Sequence, residues 1–435
     1  MFPRNVFPET TEVSPQGRLT IGGCDALDLA REYGTPVYVL DETTLRHRCR
    51  AFVHEFQGLY PNTRVLYASK AYINPALARI FQEEGLGLDV VSGGELAVAH
   101  AAGFPLDKVY FHGNNKTPDE LAQAVEQGIG RVVVDSFHEL GLLDRIAGEA
   151  GKVQDILVRV SPGIDPHTHV YTTTGIIDSK FGFSLQTGDA ARAVRQALSA
   201  PNLRLRGLHF HLGSPIFELE PYIEAIDRVL RFAGEMKAEG LELREFSPGG
   251  GFAIAYTEDD DPPPPSAYAD AIVGALRTAC QDYDLPEPEL IVEPGRAITG
   301  PAGVALYTVG AIKHVPGVRT YVSVDGGMGD NIRPALYGSR YVALVADRAT
   351  QPATETVTIA GKYCESGDVL VRDASTAPVE AGSLIALPAA GAYAPAMASA
   401  YNLNGRPPIV LVKDGRATLI RRRETYDALM SLDVD

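Results

Sequence analysis

Between residues 64 and 296 eight short apolar runs alternate with longer amphipathic segments. The runs are VLYA (65–68), GLDVV (87–91), KVYFH (108–112), RVVVD (131–135), ILVRV (156–160), RGLHFHL (206–212), REFSP (244–248) and LIVEP (290–294). Helical patterns such as PALARIFQEEG, PDELAQAVEQG and EPYIEAIDRVLRFAGEMKAEG follow most of them. Strands alternating with helices of this length form right-handed βαβ units around a parallel sheet. Eight such units in about 230 residues predict a closed (β/α)8 TIM barrel, a fold of about 250 residues. An open doubly wound sheet is the alternative, and the regularity of the eight units favours the barrel.

The pattern changes after residue 296. Strand-like runs continue without helices: VALYTVGAI, TYVSVD, YVALVAD, TVTIAG, SLIALPA and PIVLV followed by ATLIRRR. The last two meet at Asp414-Gly415, a hairpin turn signal. The expectation is a (β/α)8 barrel over residues 41–295 and a second, all-β domain, sandwich- or barrel-like, from 1–40 and 296–435. The N-terminal runs LTIGG and PVYVL would join the second domain. The tract EDDDPPPPS (258–266) reads as a loop inside the barrel domain.

Composition excludes several functions. The chain of 435 residues carries a formal net charge of −16, which argues against a nucleic-acid partner. Its one basic cluster, Arg421-Arg422-Arg423, reads as a solvated strand edge. Four scattered cysteines with no C-x-x-C pair form neither a disulfide framework nor a zinc site, so no metal is expected. MFPRNVFPETTEV lacks the apolar core of a signal peptide. The least charged stretch, 380–404, is broken by Pro388 and Pro395 and does not read as a membrane span. The reading is a cytoplasmic protein with no membrane partner.

Barrel chemistry lies at the carboxyl ends of the strands, and polar and glycine residues collect there. Strand 1 ends at Lys70, strand 2 holds Asp89, strand 3 runs into His112, and Arg159 lies in strand 5. Strand 6 carries His209 and His211, then Gly213 and Ser214. Strand 7 opens into Gly249-Gly250-Gly251, and strand 8 into Glu293-Pro294-Gly295-Arg296. Glycines let backbone N–H groups approach an anion, and Arg296 offers a guanidinium fork suited to phosphate. The bland alternative for the glycine run is a tight turn. SPGGGFAIAY lacks the G-x-G-x-x-G spacing of a dinucleotide site. A lysine at a strand end facing a phosphate site suggests a Schiff base with pyridoxal 5'-phosphate (PLP). Such a site needs a partner for the pyridine nitrogen, and Glu293 fits unless it pairs with Arg296. His211 could lie flat against the ring; either strand-6 histidine could equally be a satisfied core residue.

At these positions the chain resembles the alanine-racemase-like (fold type III) PLP-dependent decarboxylases, and within them the diaminopimelate decarboxylases. YASKAY, GLDVVSGGEL, FHGNNKT, VVVDS, SKFGF, GLHFHLGS, GGGF, EPGR, RPALYG, CESGD and GAYAPAM run in family order across nearly the whole chain. The resemblance implies PLP-dependent decarboxylation of meso-2,6-diaminopimelate to L-lysine and CO2, the last step of lysine biosynthesis. It makes Lys70 the Schiff-base lysine, His211 the ring-stacking residue and Glu293 the pyridine partner. Ser214, Gly250, Gly251, Gly295, Arg296 and Tyr393 form the phosphate shell, with Asp89 and Arg159 also at the cofactor. Arg296, Arg333, Tyr337, Glu365 and Tyr393 bind substrate. Cys364 is the proton donor, contributed across the interface of a homodimer. One departure is Tyr72, where the family usually has Asn after Y-A-x-K-A.

Substrate chemistry supports the same choice. Diaminopimelate is an amino acid at both ends, so the unreacting end needs a distal arginine and a distal acid; Arg333 and Glu365 fit. Ornithine or lysine presents only a distal ammonium, against which an arginine is useless. The alternative is a related decarboxylase acting on ornithine, lysine, arginine or a secondary-metabolism amino acid. The loop DGGMGDNIRPALYG looks exposed, which would make Arg333 a surface residue. A free cysteine such as Cys364 is most often a small buried apolar residue.

Overall fold

The computed structural model describes residues 2–165, 174–175 and 178–434. They divide into two compact units: Cys49–Ala253 with Pro262–Gly295, and Met1–Arg48 with Ile254–Asp261 and Arg296–Asp435.

The first unit is the barrel. Its strands are β1 (Thr63–Ala68), β2 (Gly87–Val90), β3 (Val109–Phe111), β4 (Arg131–Val134), β5 (Gln154–Ser161), β6 (Leu203–His209), β7 (Glu245–Gly249) and β8 (Glu289–Val292). Each pairs in parallel with the next, and β8 returns to β1 through Leu290 opposite Thr63. The eight-stranded sheet is therefore closed. Its strands are almost wholly buried, as parallel strands covered on both faces must be. Leu66, Tyr110, Val133, Leu157 and Ile291 form one cluster from five of the strands. Gly207 in β6 is required by contact, because a Cβ there would lie 1.7 Å from the Glu245 carbonyl oxygen of β7.

The helices start where their caps dictate. Asn74, Ser92, Thr117 and Ser136 each accept a backbone N–H from the first turn of the helix they precede. Thr117 and Glu120 complete a reciprocal capping box, and Gly128 closes the same helix in the left-handed region. Tyr72 is accommodated in the core. Its carbonyl accepts the Tyr67 hydroxyl at 2.7 Å, and its own hydroxyl accepts Asn74 Nδ2 at 3.4 Å. The phenol thus braces the residue that caps helix Pro75–Glu83.

The second unit is mostly sheet. Its long strand Gly303–Val315 pairs antiparallel with Arg319–Val324, with Leu384–Leu387 and with the N-terminal strand Val37–Asp41. Val37–Asp41 also pairs in parallel with Ile409–Lys413, which turns through Asp414 and Gly415, both at positive φ, into Arg416–Arg421. Leu19, Ile21, Val37, Val39, Val304, Leu306, Ala386, Val410 and Val412 belong to its core. Two details differ from the sequence reading. RPALY folds as a short helix, Arg333–Tyr337, within the sheet unit. Residues 254–261, expected in the barrel domain, group with the sheet unit.

Candidate active site

In the barrel unit, the polar residues gather around Glu293, just past β8. Its carboxylate is buried, accepts the Ser247 hydroxyl at 2.7 Å, and lies 3.2 Å from His209 Nε2. His112 Nε2 stands 3.7 Å from the same carboxylate and 3.8 Å from Asp89. The two imidazoles meet edge to face with centroids 4.9 Å apart. Burial works against the charge of Glu293, but His209, His112 and the Ser247 hydroxyl together hold its carboxyl well below its ordinary value. Burial lowers His112 and His209, so both imidazoles are neutral at pH 7. Asp89 is shifted the other way. Burial raises its carboxyl far above the usual range, against the pull of Lys70.

Lys70 lies in the single turn Ser69–Ala71 that follows β1. Its charge acts on Asp89 and on His211, which places the three in one electrostatic neighbourhood. Burial, then Lys70 and Arg159, push His211 well below its ordinary value, leaving a neutral ring. Its Nδ1 accepts the Gly250 N–H at 3.3 Å, so its proton sits on Nε2. Arg159 is buried, 3.4 Å from Asp135 and 4.3 Å above the ring of Phe181.

The loops after β6 and β7 are knitted together by Ile216 N–H donating to the Gly251 carbonyl at 2.8 Å. A Cβ at Gly249 would lie 2.8 Å from His211 Nδ1, one at Gly250 2.2 Å from the Glu293 carbonyl, and one at Gly251 2.5 Å from the Gly213 carbonyl. The glycines are thus what lets three strand ends close up beside Ser214. Gly295 plays the same part against Ala68 and Ala71.

A second cluster belongs to the sheet unit. Arg296 Nη1 donates to the Tyr256 hydroxyl at 2.5 Å, and its guanidinium lies 4.7 Å over the ring of Tyr393. Tyr393 holds φ at 64°, a left-handed backbone that side chains rarely adopt and that concentrates at functional sites. Arg333 is 4% exposed, so the exposed-loop alternative does not hold. It donates to the Tyr341 hydroxyl and lies 4.5 Å over the ring of Tyr256. Burial opposes its charge, but the facing tyrosines more than offset this and raise the guanidinium further. In turn the two arginines pull the Tyr256 phenol below its ordinary value in spite of its burial. Tyr337, one turn beyond Arg333, points its hydroxyl at Met397 Sδ, 4.0 Å away.

Cys364 and Glu365 sit on an exposed turn, so Cys364 is not the buried apolar residue that a free cysteine usually is. Asn402 Oδ1 accepts the Cys364 N–H at 3.0 Å, and the Tyr401 hydroxyl lies 3.5 Å from Glu365. Cys24, Cys49 and Cys280 are free and buried.

His112, His209 and Glu293 stand out in the sequence as strand-end residues, but Ser247 does not, and only the closed barrel shows that the side chains of Ser247, His112 and His209 converge on Glu293. Tyr256 and Tyr341 gave no signal at all.

Residues 42–300 match the family described as "Pyridoxal-dependent decarboxylase, pyridoxal binding domain". Over 426 residues the chain is 46% identical to the diaminopimelate decarboxylase of Bacillus subtilis, covering 98% of this chain and 97% of that one. The chain belongs to the diaminopimelate decarboxylase family. A second relative in this family, from Mycobacterium tuberculosis, is 44% identical over 440 residues, covering 99% of this chain and 98% of its own. A crystal structure of diaminopimelate decarboxylase from M. jannaschii in complex with L-lysine superposes with a TM-score of 0.93 at 36% identity, covering 100% of this chain and 99% of that one. The family's cofactor is PLP, and the barrel residues fit it. They provide a primary amine at a strand end, a buried carboxylate for a pyridinium, a neutral imidazole and a glycine-lined rim. Among the described residues, Asp89 Oδ1, His112 Nε2, Asp135 Oδ2 and His209 Nδ1 are buried with no hydrogen-bond partner, which leaves polar capacity here for a bound group. No helix among the described residues is long and apolar enough to cross a membrane.

Proposed function

We infer that the chain catalyses the PLP-dependent decarboxylation of meso-2,6-diaminopimelate to L-lysine and CO2. The observation that carries the choice of substrate is Arg333. Among the described residues this buried guanidinium ion-pairs with no carboxylate, and its neighbours are phenols. A buried cation without an anion is costly, so the position makes sense for a substrate that brings one. Diaminopimelate brings a distal carboxylate; ornithine and lysine as substrates do not.

In this reading Lys70 holds the cofactor's aldehyde through Nζ. The ionised Glu293 keeps a proton on the pyridine nitrogen, and Ser247 and His209 keep Glu293 ionised. Neutral His211 offers its ring face without adding charge. Asp89 and Arg159 border the cofactor. Ser214, Gly250, Gly251 and Gly295 would receive the phosphate, and the resemblance adds Arg296 and Tyr393 to them. When bound, PLP supplies the electron sink that accepts the pair left by departing CO2. Arg333 and Glu365 hold the distal carboxylate and ammonium, with Arg296, Tyr337 and Tyr393 as further substrate contacts. Cys364 Sγ delivers a proton to the carbon that lost CO2. Its exposed position suits a residue that serves the site of a second copy in a homodimer. In the cytoplasm, where this protein is expected to work, the thiol would stay reduced.

The test is CO2 release from meso-diaminopimelate, ornithine, lysine and arginine, with and without added PLP. PLP-dependent release from diaminopimelate alone is expected; preference for any of the others contradicts the reading. Mixing Lys70→Ala with Cys364→Ala protein tests the shared site. Random reassortment restores about a quarter of wild-type activity if each site draws on two subunits. No recovery above the separate variants contradicts it.

A further inference from the structure

Arg333 can recognise a planar carboxylate through two parallel N–H bonds only if its guanidinium is held in one orientation. An arginine has four rotatable bonds, so something must fix the fork. Two rings do so here. The Arg333 guanidinium lies 4.5 Å from the centroid of Tyr256 and 5.6 Å from that of Tyr341. The two rings meet at 81° with centroids 5.4 Å apart, which makes a right-angled aromatic corner. The corner is buried, with Tyr256 9% exposed and Tyr341 4%. One edge of the fork is pinned as well, by Nη1 donating to the Tyr341 hydroxyl.

Residues 254–261, which belong to the sheet unit, carry Tyr256 into the corner. Asp260 Oδ2 accepts the N–H groups of Tyr256 and Thr257 at 2.8 and 2.9 Å, a closed turn with Tyr256 at its start. The Tyr256 hydroxyl accepts Arg296 Nη1, so a single phenol spaces the two guanidiniums. Its oxygen accepts Arg296 Nη1 and also interacts with Arg333, and its face lies nearer to Arg333.

We propose that Tyr256 and Tyr341 are positioning residues that give the chain its selectivity for a substrate carboxylate, by fixing the plane of the Arg333 guanidinium. The proposal rests on the reading of Arg333 as the distal-carboxylate receptor, and the test separates the two. L-Lysine keeps one carboxylate and 1,5-diaminopentane has none; otherwise they are the same molecule. Their inhibition constants against diaminopimelate decarboxylation by the holoenzyme give a ratio that reports carboxylate recognition alone. A general structural defect weakens both ligands and leaves the ratio unchanged.

Arg333→Met is the control and should abolish the preference for L-lysine. If it does not, the receptor reading itself fails. Given that loss, Tyr256→Leu should cut the ratio by about tenfold through loss of the cation–π face and of the fixed rotamer. Tyr256→Phe keeps the face and loses only the oxygen, so it should cut the ratio less than Tyr256→Leu does. Tyr341→Phe removes only the oxygen that pins Nη1 and should cut the ratio by roughly three- to tenfold. An unchanged ratio in Tyr256→Leu overturns the proposal. Should the leucine variant not fold, an unchanged ratio in Tyr341→Phe does so.

Discussion

Arg333→Met separates stability from function, because the structure assigns the two opposite signs. Methionine has much the same length and no charge. On the stability side the substitution loses a cation–π contact over Tyr256, worth about 0.5–2 kcal/mol, and a hydrogen bond to Tyr341, about 1.5–3 kcal/mol. Against this it removes the desolvation penalty of a cation with no carboxylate partner among the described residues, a penalty of several kcal/mol. The sum is near zero or stabilising. On the functional side, removing one partner of a buried charge pair costs about 2–5 kcal/mol. At about 1.4 kcal/mol per decade this is roughly a 30- to 3,000-fold loss in kcat/KM for diaminopimelate. Thermal unfolding of the holoenzyme should therefore stay level or rise while kcat/KM collapses. The cofactor's visible absorbance should persist, since Lys70 is untouched. A kcat/KM within threefold of wild type would refute the argument, as would a fall in Tm of more than about 8 °C, which would mean that Arg333 is a structural keystone.

Other outcomes follow from the same geometry. Glu293→Gln keeps shape but removes the charge at the pyridine position, so kcat should fall by at least about 100-fold with KM little changed; steady-state kinetics decide, and a kcat within threefold contradicts the assignment. Cys364→Ala should slow turnover while the cofactor absorbance remains, and unchanged kcat would reject it as the acid. Asp330 is a buried carboxyl raised by burial to about 7, although Tyr307 and the Gly327 N–H oppose the shift. A carboxyl raised in the folded state stabilises fully below its unfolded value near 4, and that contribution is lost as pH rises through 7. Asp330→Asn, with no proton to lose, should gain in Tm relative to wild type between pH 5 and pH 8, and a constant difference across that range would contradict the shift.

How far the sequence carries depends on whether a signal is local. The barrel was legible because eight apolar runs alternate with helical segments, and the rule that chemistry sits at strand carboxyl ends then selected Lys70, His211 and Glu293. What stayed hidden arises from distant segments meeting. Ser247 sits in REFSP like any strand serine, and only the closed barrel brings it to 2.7 Å from Glu293. Tyr256 follows the glycine run in chain order, yet residues 254–261 leave that domain and deliver it to Arg333. The glycine- and aspartate-rich loop before Arg333 made it look exposed; two tyrosines bury it, Tyr256 from a distant segment and Tyr341 at a spacing that no helix or strand period pairs with it.

The central claim is that Lys70 carries the aldehyde cofactor. Borohydride reduction of the holoenzyme followed by peptide mass mapping tests it directly. The account predicts a phosphopyridoxyl group fixed on Nζ of Lys70 and on no other lysine, and loss of that adduct when diaminopimelate is added before the reductant. A label on a different lysine, or a protein that binds PLP and yields no label at residue 70, would contradict it.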